Sequence, residues 1–194
     1  IHVHLGMSGS IDVHRPGRRR SGDAVRMALT TSAGTVRVLG APEVDFLKRE
    51  EVDLRLARLG PDLLADEFDW GRFEAAAARY PGSRTVSDFL LDQRVMSGIG
   101  NEYKSEILFL ERVLPERRMA EVDTTLRRRL AERARRLMAA NTERAQRTTA
   151  GRGDGSVWVY GRAGQPCRRC RTAVASAWLG DPVRITYWCP GCQR

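Results

Sequence analysis

Four cysteines near the end of the chain have the spacing that points most directly to chemistry. They form two C-x2-C pairs separated by eighteen residues: Cys167 with Cys170, and Cys189 with Cys192. Each pair can place two thiolates on one side of a tight turn, and two such turns complete a tetrahedral zinc site. Disulfides would suit a secreted chain, but we expect no export signal here, and a redox pair does not account for two pairs. The spacing therefore predicts one structural Zn²⁺.

A glycine-bearing break between two predicted helices is the second candidate site. Gly98 and Gly100 interrupt the helical pattern, and Asn101 then begins a new helix. A helix N-terminus offers free backbone N–H groups and a positive dipole end, which suit a DNA phosphate. Asn101 can bind the same phosphate, and Arg94 can add charge. An ordinary connection between two helices, in which the glycines only permit the turn, is the open alternative.

The elements that must hold these residues differ along the chain. Alternating apolar residues predict strands within residues 1–52, and two further strands at 172–178 and 183–188 form a hairpin between the cysteine pairs. Arg184 lies near the tip of this hairpin, where it either contacts phosphate or is solvated.

The middle of the chain is helical by its apolar periodicity and its capping residues. Four helices are expected, at residues 69–79, at 86–96, from Asn101 onward, and from an Asp123 N-cap to about 144. The last of these carries many arginines, which we interpret as a solvated face. Residues 150–156 have the composition of a linker.

The charge of the chain points to an acidic partner. It has 33 basic and 24 acidic residues, a net charge of +9, and its lysines are Lys48 and Lys104. Genomic base composition is an alternative cause of the arginine excess over lysine, although it does not explain the excess over acid. Residues 157–194 carry six basic residues and one acidic residue, typical of a nucleic-acid-binding module. We find no stretch apolar enough for a membrane span.

Four motifs in order resemble the formamidopyrimidine-DNA glycosylase/endonuclease VIII family. Residues 90–106, with Gly-Ile-Gly-Asn-x-Tyr-x-x-Glu, resemble its helix–two-turn–helix motif. Residues 159–167 resemble the lead-in to its zinc finger, residues 4–9 a motif of its N-terminal β-sandwich, and residues 59–64 the join to its helical domain. The resemblance covers essentially the whole chain.

The resemblance implies an α+β multidomain fold in three parts. These are a partial N-terminal β-sandwich (1–52), a helical helix–two-turn–helix domain (53–156) and a C-terminal zinc β-hairpin finger (157–194).

The resemblance also implies a base-excision-repair DNA glycosylase with AP lyase activity, which removes oxidised bases from double-stranded DNA. Asn101 matches the family's phosphate-binding asparagine, and Arg94 stands where the family has a basic residue near the DNA backbone. Met7 matches the side chain that fills the gap left by a flipped nucleotide, and Arg184 matches the zinc-finger arginine that contacts phosphate. Gly100 belongs to the same DNA-binding turn.

Two departures bear on activity and substrate. The family's nucleophile is an N-terminal proline followed by glutamate, whereas Ile1 stands first here, so we expect sequence to be missing upstream and the given chain to be inactive. Two features favour the endonuclease VIII-like branch of the family, with oxidised pyrimidines as substrates. These are a short connection before residue 157 and the sequence Leu-Gly-Ala-Pro at 39–42. The family also uses an assisting lysine in its β-sandwich, and neither Lys48 nor Lys104 falls in the motif expected for it.

We expect a cytoplasmic, nucleoid-associated bacterial protein that acts as a monomer. Two other classes remain open. A catalytically inactive, zinc-dependent DNA-binding module would fit every motif, and a zinc-ribbon protein of translation or transcription would fit the cysteines and charge but not residues 98–101.

Overall fold

The computed structural model describes residues 1–6, 8–15, 24–143, 146–151 and 155–194. These residues form two compact units, Ile1–Ala57 (the N-terminal unit) and Arg58–Arg194 (the C-terminal unit). Met7, the expected gap-filling residue, lies outside the described residues. Strands and helices occur in the order expected of an α+β chain, so the predicted fold class is confirmed.

The N-terminal unit consists of short antiparallel sheets. Its strands are β1 (His2–His4), β2 (Ser10–His14), β3 (Val25–Thr31), β4 (Gly34–Leu39) and β5 (Glu43–Asp45). β1 pairs with β5, and the second sheet has the order β2-β4-β3. Ile11 lies opposite Val38, and Val13 lies opposite Val36, so the alternating apolar residues share one face of this sheet.

One helix of this unit differs from the structure predicted for residues 1–52. α1 (Arg49–Ala57) begins inside residues 1–52, which we assigned to strands. Glu50 and Glu51 occupy its first turn and Arg55 its last, which complements the helix dipole. Glu51 also accepts a hydrogen bond from the Lys48 backbone N–H at 2.8 Å, which satisfies one free donor of the first turn.

Helices dominate the first part of the C-terminal unit. They are α2 (Trp70–Ala78), α3 (Val86–Leu91), α4 (Asn101–Leu110), the 3-10 helix Met119–Glu121, and α5 (Thr124–Ala139). Asp69, Thr85 and Asp123 accept backbone N–H groups at the starts of α2, α3 and α5. The predicted Asp123 cap is confirmed. α3 ends at Leu91 and not at Met96, because the chain turns at Asp92.

The main core lies between α2, α3, α4 and α5. The apolar face predicted for α5 is correct, since Leu130, Ala134 and Met138 are buried there and Leu126 and Leu137 pack beside them. Large side chains at the centre are fully buried: Phe73, Phe89, Leu90, Met96, Ile107, Leu108 and Met119. This core fixes α3 and α4, the two helices of the motif.

The solvated face predicted for the arginines of α5 is correct only in part. Arg128, Arg129 and Arg136 are exposed, whereas Arg127 and Arg135 are half-buried. Arg127 donates to the backbone carbonyls of Val122, Ala77 and Met119. Arg135 donates to two further carbonyls, those of Leu63 and Ala65, and its guanidinium lies 5.0 Å from the Phe68 ring centroid. These side chains bind other elements to α5 instead of facing water.

The end of the chain forms a hairpin with its own small core. β6 (Ala175–Leu179) pairs with β7 (Arg184–Trp188) in antiparallel register. Phe109 of α4 packs with the finger residues Val159, Val174, Cys167 and Cys189. The hairpin is therefore anchored on the C-terminal part of α4. No helix in the described part of the chain is long and apolar enough to span a membrane.

Candidate nucleic-acid interface and metal centre

The four cysteines come together as predicted. Their sulfur atoms lie within 4.8 Å of one another, with Cys167 Sγ 3.9 Å from Cys192 Sγ and Cys170 Sγ 3.4 Å from Cys189 Sγ. A tetrahedral zinc site with Zn–S bonds of about 2.3 Å places its sulfurs about 3.8 Å apart. A disulfide needs a sulfur separation of about 2.05 Å, so the cysteines are free thiols arranged to bind a metal.

The four thiol groups differ widely in pKa. Hydrogen bonds from the Thr172 side chain and backbone lower the pKa of Cys170 to about 6. Burial and the neighbouring sulfurs raise the pKa of Cys192 to about 12, and burial also raises the pKa of Cys189. Four sulfurs this close cannot all be anionic without a cation, and a divalent metal supplies that charge.

A buried glutamine fixes the second cysteine pair to the helical part of the unit. Gln193 is 1% exposed, and its Oε1 accepts the Cys189 backbone N–H at 2.7 Å. Its Nε2 donates to the carbonyl of Val113 at 2.8 Å, just beyond the end of α4. The metal centre and the helices are therefore held together by both hydrogen bonds and apolar contacts.

The turn between α3 and α4 is built around another glutamine. Gln93 Nε2 donates to the carbonyls of Leu91 and Ile99, and its Oε1 accepts the Gly98 backbone N–H at 2.8 Å. Gly98 has a φ of +117°, a conformation that favours glycine. Segment 60–63 crosses this turn through backbone hydrogen bonds with Gln93 and Ser97. The two loops brace each other and set the position of the α4 N-terminus.

The N-terminus of α4 is open. Gly100 is its N-cap and provides no side-chain cap, so the first backbone N–H groups have no side-chain acceptor from the cap. A Cβ atom at Gly100 would meet nothing within 4 Å. This end of α4 can therefore accept an anion from outside.

Asn101 and Arg184 meet at the junction of α4 and β7. Asn101 Nδ2 donates to the carbonyl of Ile185 at 2.8 Å, the residue next to Arg184. Asn101 Oδ1 is buried without a hydrogen-bond partner among the described residues. The Arg184 guanidinium donates to its neighbour's carbonyl, Val183 O, at 3.0 Å. The helix and the finger thus bring the Asn101 amide to the β7 backbone at the residue next to Arg184.

Arg94 is engaged within the turn itself. Its Nε and Nη2 donate to the two carboxylate oxygens of Asp92 at 2.9 and 2.6 Å, and its side chain is 79% exposed. The Arg94 guanidinium also lowers the pKa of Asp92. Arg94 is thus exposed, as a DNA contact requires. To bind a phosphate, its guanidinium would have to give up one of its two hydrogen bonds to Asp92 or share it with the phosphate.

Two buried charged residues were missed by the sequence analysis. Lys104 is 1% exposed and donates from Nζ to Thr186 Oγ1 at 2.6 Å. Glu106 is completely buried and accepts the backbone N–H groups of residues 158, 159 and 160, each at 2.8 Å, together with the hydroxyl of Thr149. Glu106 closes the motif that we compared with the family, so that motif was the available signal; Lys104 has no comparable signal.

The N-terminal unit contains a second group of metal-ligating types. His2, Glu43 and Asp45 lie within 4.8 Å of one another. Arg55 Nη1 lies 2.9 Å from a carboxylate oxygen of Asp45, 3.6 Å from one of Glu43 and 3.1 Å from His2 Nδ1. A guanidinium already balances these carboxylates, so the group is an ion-pair cluster.

Fold and site together define a class: a helix–two-turn–helix protein with a four-cysteine β-hairpin finger. Residues 59–152 match the family model described as the formamidopyrimidine-DNA glycosylase H2TH domain. The chain is 40% identical to the probable endonuclease 8 2 of Streptomyces coelicolor, over all of this chain and 71% of that protein. It is 37% identical to the DNA-(apurinic or apyrimidinic site) lyase Nei2 of Mycolicibacterium smegmatis, over all of this chain and 75% of that protein.

The fold agrees with a solved structure. The Lactococcus lactis FPG (MutM) complex with FAPY-dG-containing DNA superposes with a TM-score of 0.79 at 19% identity, covering 98% of this chain and 73% of that one. The chain belongs to the formamidopyrimidine-DNA glycosylase/endonuclease VIII family, as its motifs predicted.

Proposed function

We propose that this chain binds double-stranded DNA at an oxidised base or abasic site, and that its protein is a DNA glycosylase with AP lyase activity. The observation that carries the proposal is the α4–β7 junction, where the open helix N-terminus begins at Asn101 and Asn101 bonds to the β7 backbone next to Arg184. Each group suits a phosphate oxygen, and phosphate contacts set the register of a protein on DNA. The names of the bacterial relatives support the activity.

The roles follow the three segments inferred from the sequence, 1–52, 53–156 and 157–194. In this proposal Gly100 and Asn101 bind a phosphate beside the lesion, Arg184 contacts the same region from the finger, and Arg94 adds charge along the backbone. Met7 fills the space left when the damaged nucleotide leaves the stack. Flipping costs a few kcal/mol and least for a damaged base, which contributes to selectivity.

Zinc is the metal proposed for the four cysteines. Cys167, Cys170, Cys189 and Cys192 would be its ligands, a complete set that leaves no open position for catalysis. Its role is therefore structural, and it holds β7 where Arg184 can reach DNA. We propose oxidised pyrimidines as the preferred bases, and a monomer acting on nucleoid DNA in the bacterial cytoplasm as the working form.

Fluorescence anisotropy with two duplexes tests the binding step. One duplex carries a tetrahydrofuran abasic analogue and the other is undamaged; we expect tighter binding to the first, and Asn101→Ala should weaken it. Equal affinity for the two duplexes would remove lesion binding from the proposal.

Borohydride trapping tests the chemistry, because a lyase of this family passes through an imine that borohydride reduces to a stable adduct. The full-length protein, with the sequence expected upstream of Ile1, is incubated with DNA bearing an oxidised pyrimidine. An adduct and a cut strand support the enzyme, whereas lesion binding with neither would identify a DNA-binding module.

A further inference from the structure

Lys104 is a buried charge that the proposed contacts with DNA do not use. Its side chain is 1% exposed, and Thr186 Oγ1 is the acceptor that the described residues give its ammonium group. An ammonium has three N–H donors, so two are left without an acceptor among the described residues. Burying a charge with so few partners is costly, which calls for a reason specific to this place.

The location of Lys104 is the junction of α4 and β7. Lys104 follows Asn101 by three residues, so the two side chains are neighbours on the surface of α4. Asn101 bonds to the carbonyl of Ile185, and Lys104 bonds to the hydroxyl of Thr186. Thr186 Oγ1 in turn donates to the carbonyl of Arg184 at 3.2 Å. Residues 184–186 of β7 are therefore clamped to α4 at two points.

A third clamp comes from α3. Asp88 Oδ1 accepts the backbone N–H of Asp181 in the hairpin turn at 3.0 Å, while its Oδ2 accepts from Thr85 at the start of α3. The hairpin tip is thus fixed by Asp88, and its strand is fixed by Lys104 and Asn101. These contacts, and not the metal centre alone, set the position of Arg184.

The charges at this junction are unbalanced. Asp88 on α3 favours the charged form of Lys104, whereas Arg184 on β7 disfavours it. Burial is the largest cause and lowers the pKa of Lys104 to about 8. Arg84 and the carboxylate of Asp181 in the hairpin turn form their own ion pair at 3.0 Å, so Lys104 and Arg184 are left facing the single carboxylate of Asp88. That carboxylate already accepts hydrogen bonds from Thr85 and from the Asp181 backbone. A phosphate at the N-terminus of α4 would balance the excess positive charge.

We propose that Lys104 is a positioning residue of the phosphate site. It holds β7 on α4 so that Asn101 and Arg184 act on one phosphate, and the bound phosphate keeps the Lys104 ammonium group charged. The inference rests on the proposed function and deepens it. Lys104 does not touch DNA, because its side chain is buried; it acts through Thr186 and through its charge.

This role makes DNA affinity depend on pH in a defined direction. A nearby phosphate favours the charged form, so bound DNA raises the pKa of Lys104 above its value in the free protein. Above pH 8 the free protein loses this proton and must regain it on binding. Affinity for lesion DNA should therefore fall about fivefold to tenfold from pH 7 to pH 9.

The test compares the wild-type chain with Lys104→Met and with Lys48→Met as matched control. Both variants remove one lysine charge, but Lys48 is exposed and lies in the N-terminal unit. Affinity for the tetrahydrofuran duplex is measured by anisotropy at pH 7, 8 and 9, with zinc content as a check on the finger. We expect Lys104→Met to bind about tenfold more weakly at pH 7 and to lose the pH dependence that wild type and Lys48→Met retain.

A direct titration provides the second readout. The chain has two lysines, so lysine-selective ¹³C labelling gives two side-chain signals, and Lys48→Met assigns them. The Lys104 signal should titrate near pH 8 in the free protein and at higher pH with the tetrahydrofuran duplex. Thr186→Val, which removes the acceptor but keeps the charge, should also weaken binding, and it replaces Lys104→Met if that variant does not fold.

The outcomes separate this inference from the proposed function. Wild-type affinity and pH dependence in Lys104→Met, or a Lys104 titration unchanged by bound duplex, would overturn the positioning role while leaving lesion binding intact. If the wild-type chain binds neither duplex, the proposed function fails and this inference fails with it.

Discussion

At the scale of single residues, the two polar atoms of the Asn101 side-chain amide differ in their hydrogen bonding. Its Nδ2 is used inside the protein, on the carbonyl of Ile185, whereas its Oδ1 has no partner among the described residues. A buried amide oxygen without a donor costs free energy comparable to a lost hydrogen bond. Asn101 therefore both ties the finger to α4 and retains an unused polar group at the open helix end.

Arg184 gives the first prediction at this scale. Arg184→Ala should weaken binding of the tetrahydrofuran duplex by about 1–3 kcal/mol, because a charge-assisted hydrogen bond to phosphate is lost. Folding should be unchanged, since the guanidinium bonds only to the adjacent carbonyl of Val183 among the contacts described. Anisotropy and thermal melting measure the two effects.

The control for this variant is Arg136→Ala, which removes the same charge from the exposed end of α5. Equal losses of affinity in the two variants would show that total charge, and not the position of Arg184, governs binding.

At the scale of elements, the turn before α4 contains two glycines with different roles. Gly98→Ala should cost about 1–3 kcal/mol of stability, because its φ of +117° is strained for alanine. Gly100→Ala should cost less than about 1 kcal/mol, since φ is −104° and the added Cβ has open space. Gly100→Ala should nevertheless bind lesion DNA more weakly, because the methyl group occupies the approach of a phosphate.

Urea unfolding and anisotropy on both glycine variants check this separation. A Gly100→Ala protein with normal stability and undiminished affinity would mean that DNA does not approach α4 at this point.

The contact between α4 and α5 gives a prediction about acid. Glu111 follows α4, and its nearly buried carboxylate accepts hydrogen bonds from Arg129 at 2.6 Å and Arg133 at 2.7 Å. Burial raises the pKa of Glu111, but the two arginines outweigh it and the pKa is lowered. This contribution to stability is therefore present above the unfolded-state pKa of about 4.3 and is lost as pH falls through the lower folded-state value.

Glu111→Gln should accordingly cost about 1–2 kcal/mol at pH 7, a modest value because both arginines are partly exposed. The difference from wild type should shrink as pH falls below about 4.3, because the unfolded-state carboxylate takes up its proton before the folded-state one does. Urea midpoints at pH 7, 5 and 3 measure it, with the exposed Glu116→Gln as control. A difference that persists undiminished at pH 3 would contradict an ionic origin.

Local signals in the sequence predicted much of the secondary structure and the cysteine cluster. The Asp123 cap, the apolar face of α5 and the paired cysteines act over short stretches of chain, so they can be recognised without the fold. The start of α1, where the Glu51 side chain accepts a backbone hydrogen bond, and the end of α3, which is a backbone turn at Asp92, were predicted wrongly.

Contacts between distant segments could not be predicted in the same way. Lys104 and Thr186 are 82 residues apart, and their pairing exists only after the finger docks on α4. Arg127 and Arg135 of α5 bind backbone carbonyls, which every residue has and which leave no sequence signature. DNA-contact residues were accessible only because the motif resembled a family.

At the scale of the whole molecule, the metal centre supports one part of the C-terminal unit. Removing zinc with a chelator, or replacing a ligand as in Cys189→Ser, should unfold the finger and abolish lesion binding, because Cys167 and Cys189 belong to the finger's small core. The helical core is separate, so most of the helical circular dichroism should remain.

Zinc content, circular dichroism and anisotropy follow these changes, with Ser176→Ala on exposed β6 as control. A metal-free protein that bound the tetrahydrofuran duplex as tightly as the wild type would show that the finger is dispensable.

The four hydrogen bonds received by Glu106 have a consequence for how the molecule opens. Residues 158–160 belong to no helix or strand, yet their backbone N–H groups all end on this buried carboxylate of α4. Their amide hydrogens should exchange with deuterated solvent as slowly as those of α4, since both become accessible in the same opening event. The approach to the finger and the helix beneath it would then form a single cooperative unit of unfolding.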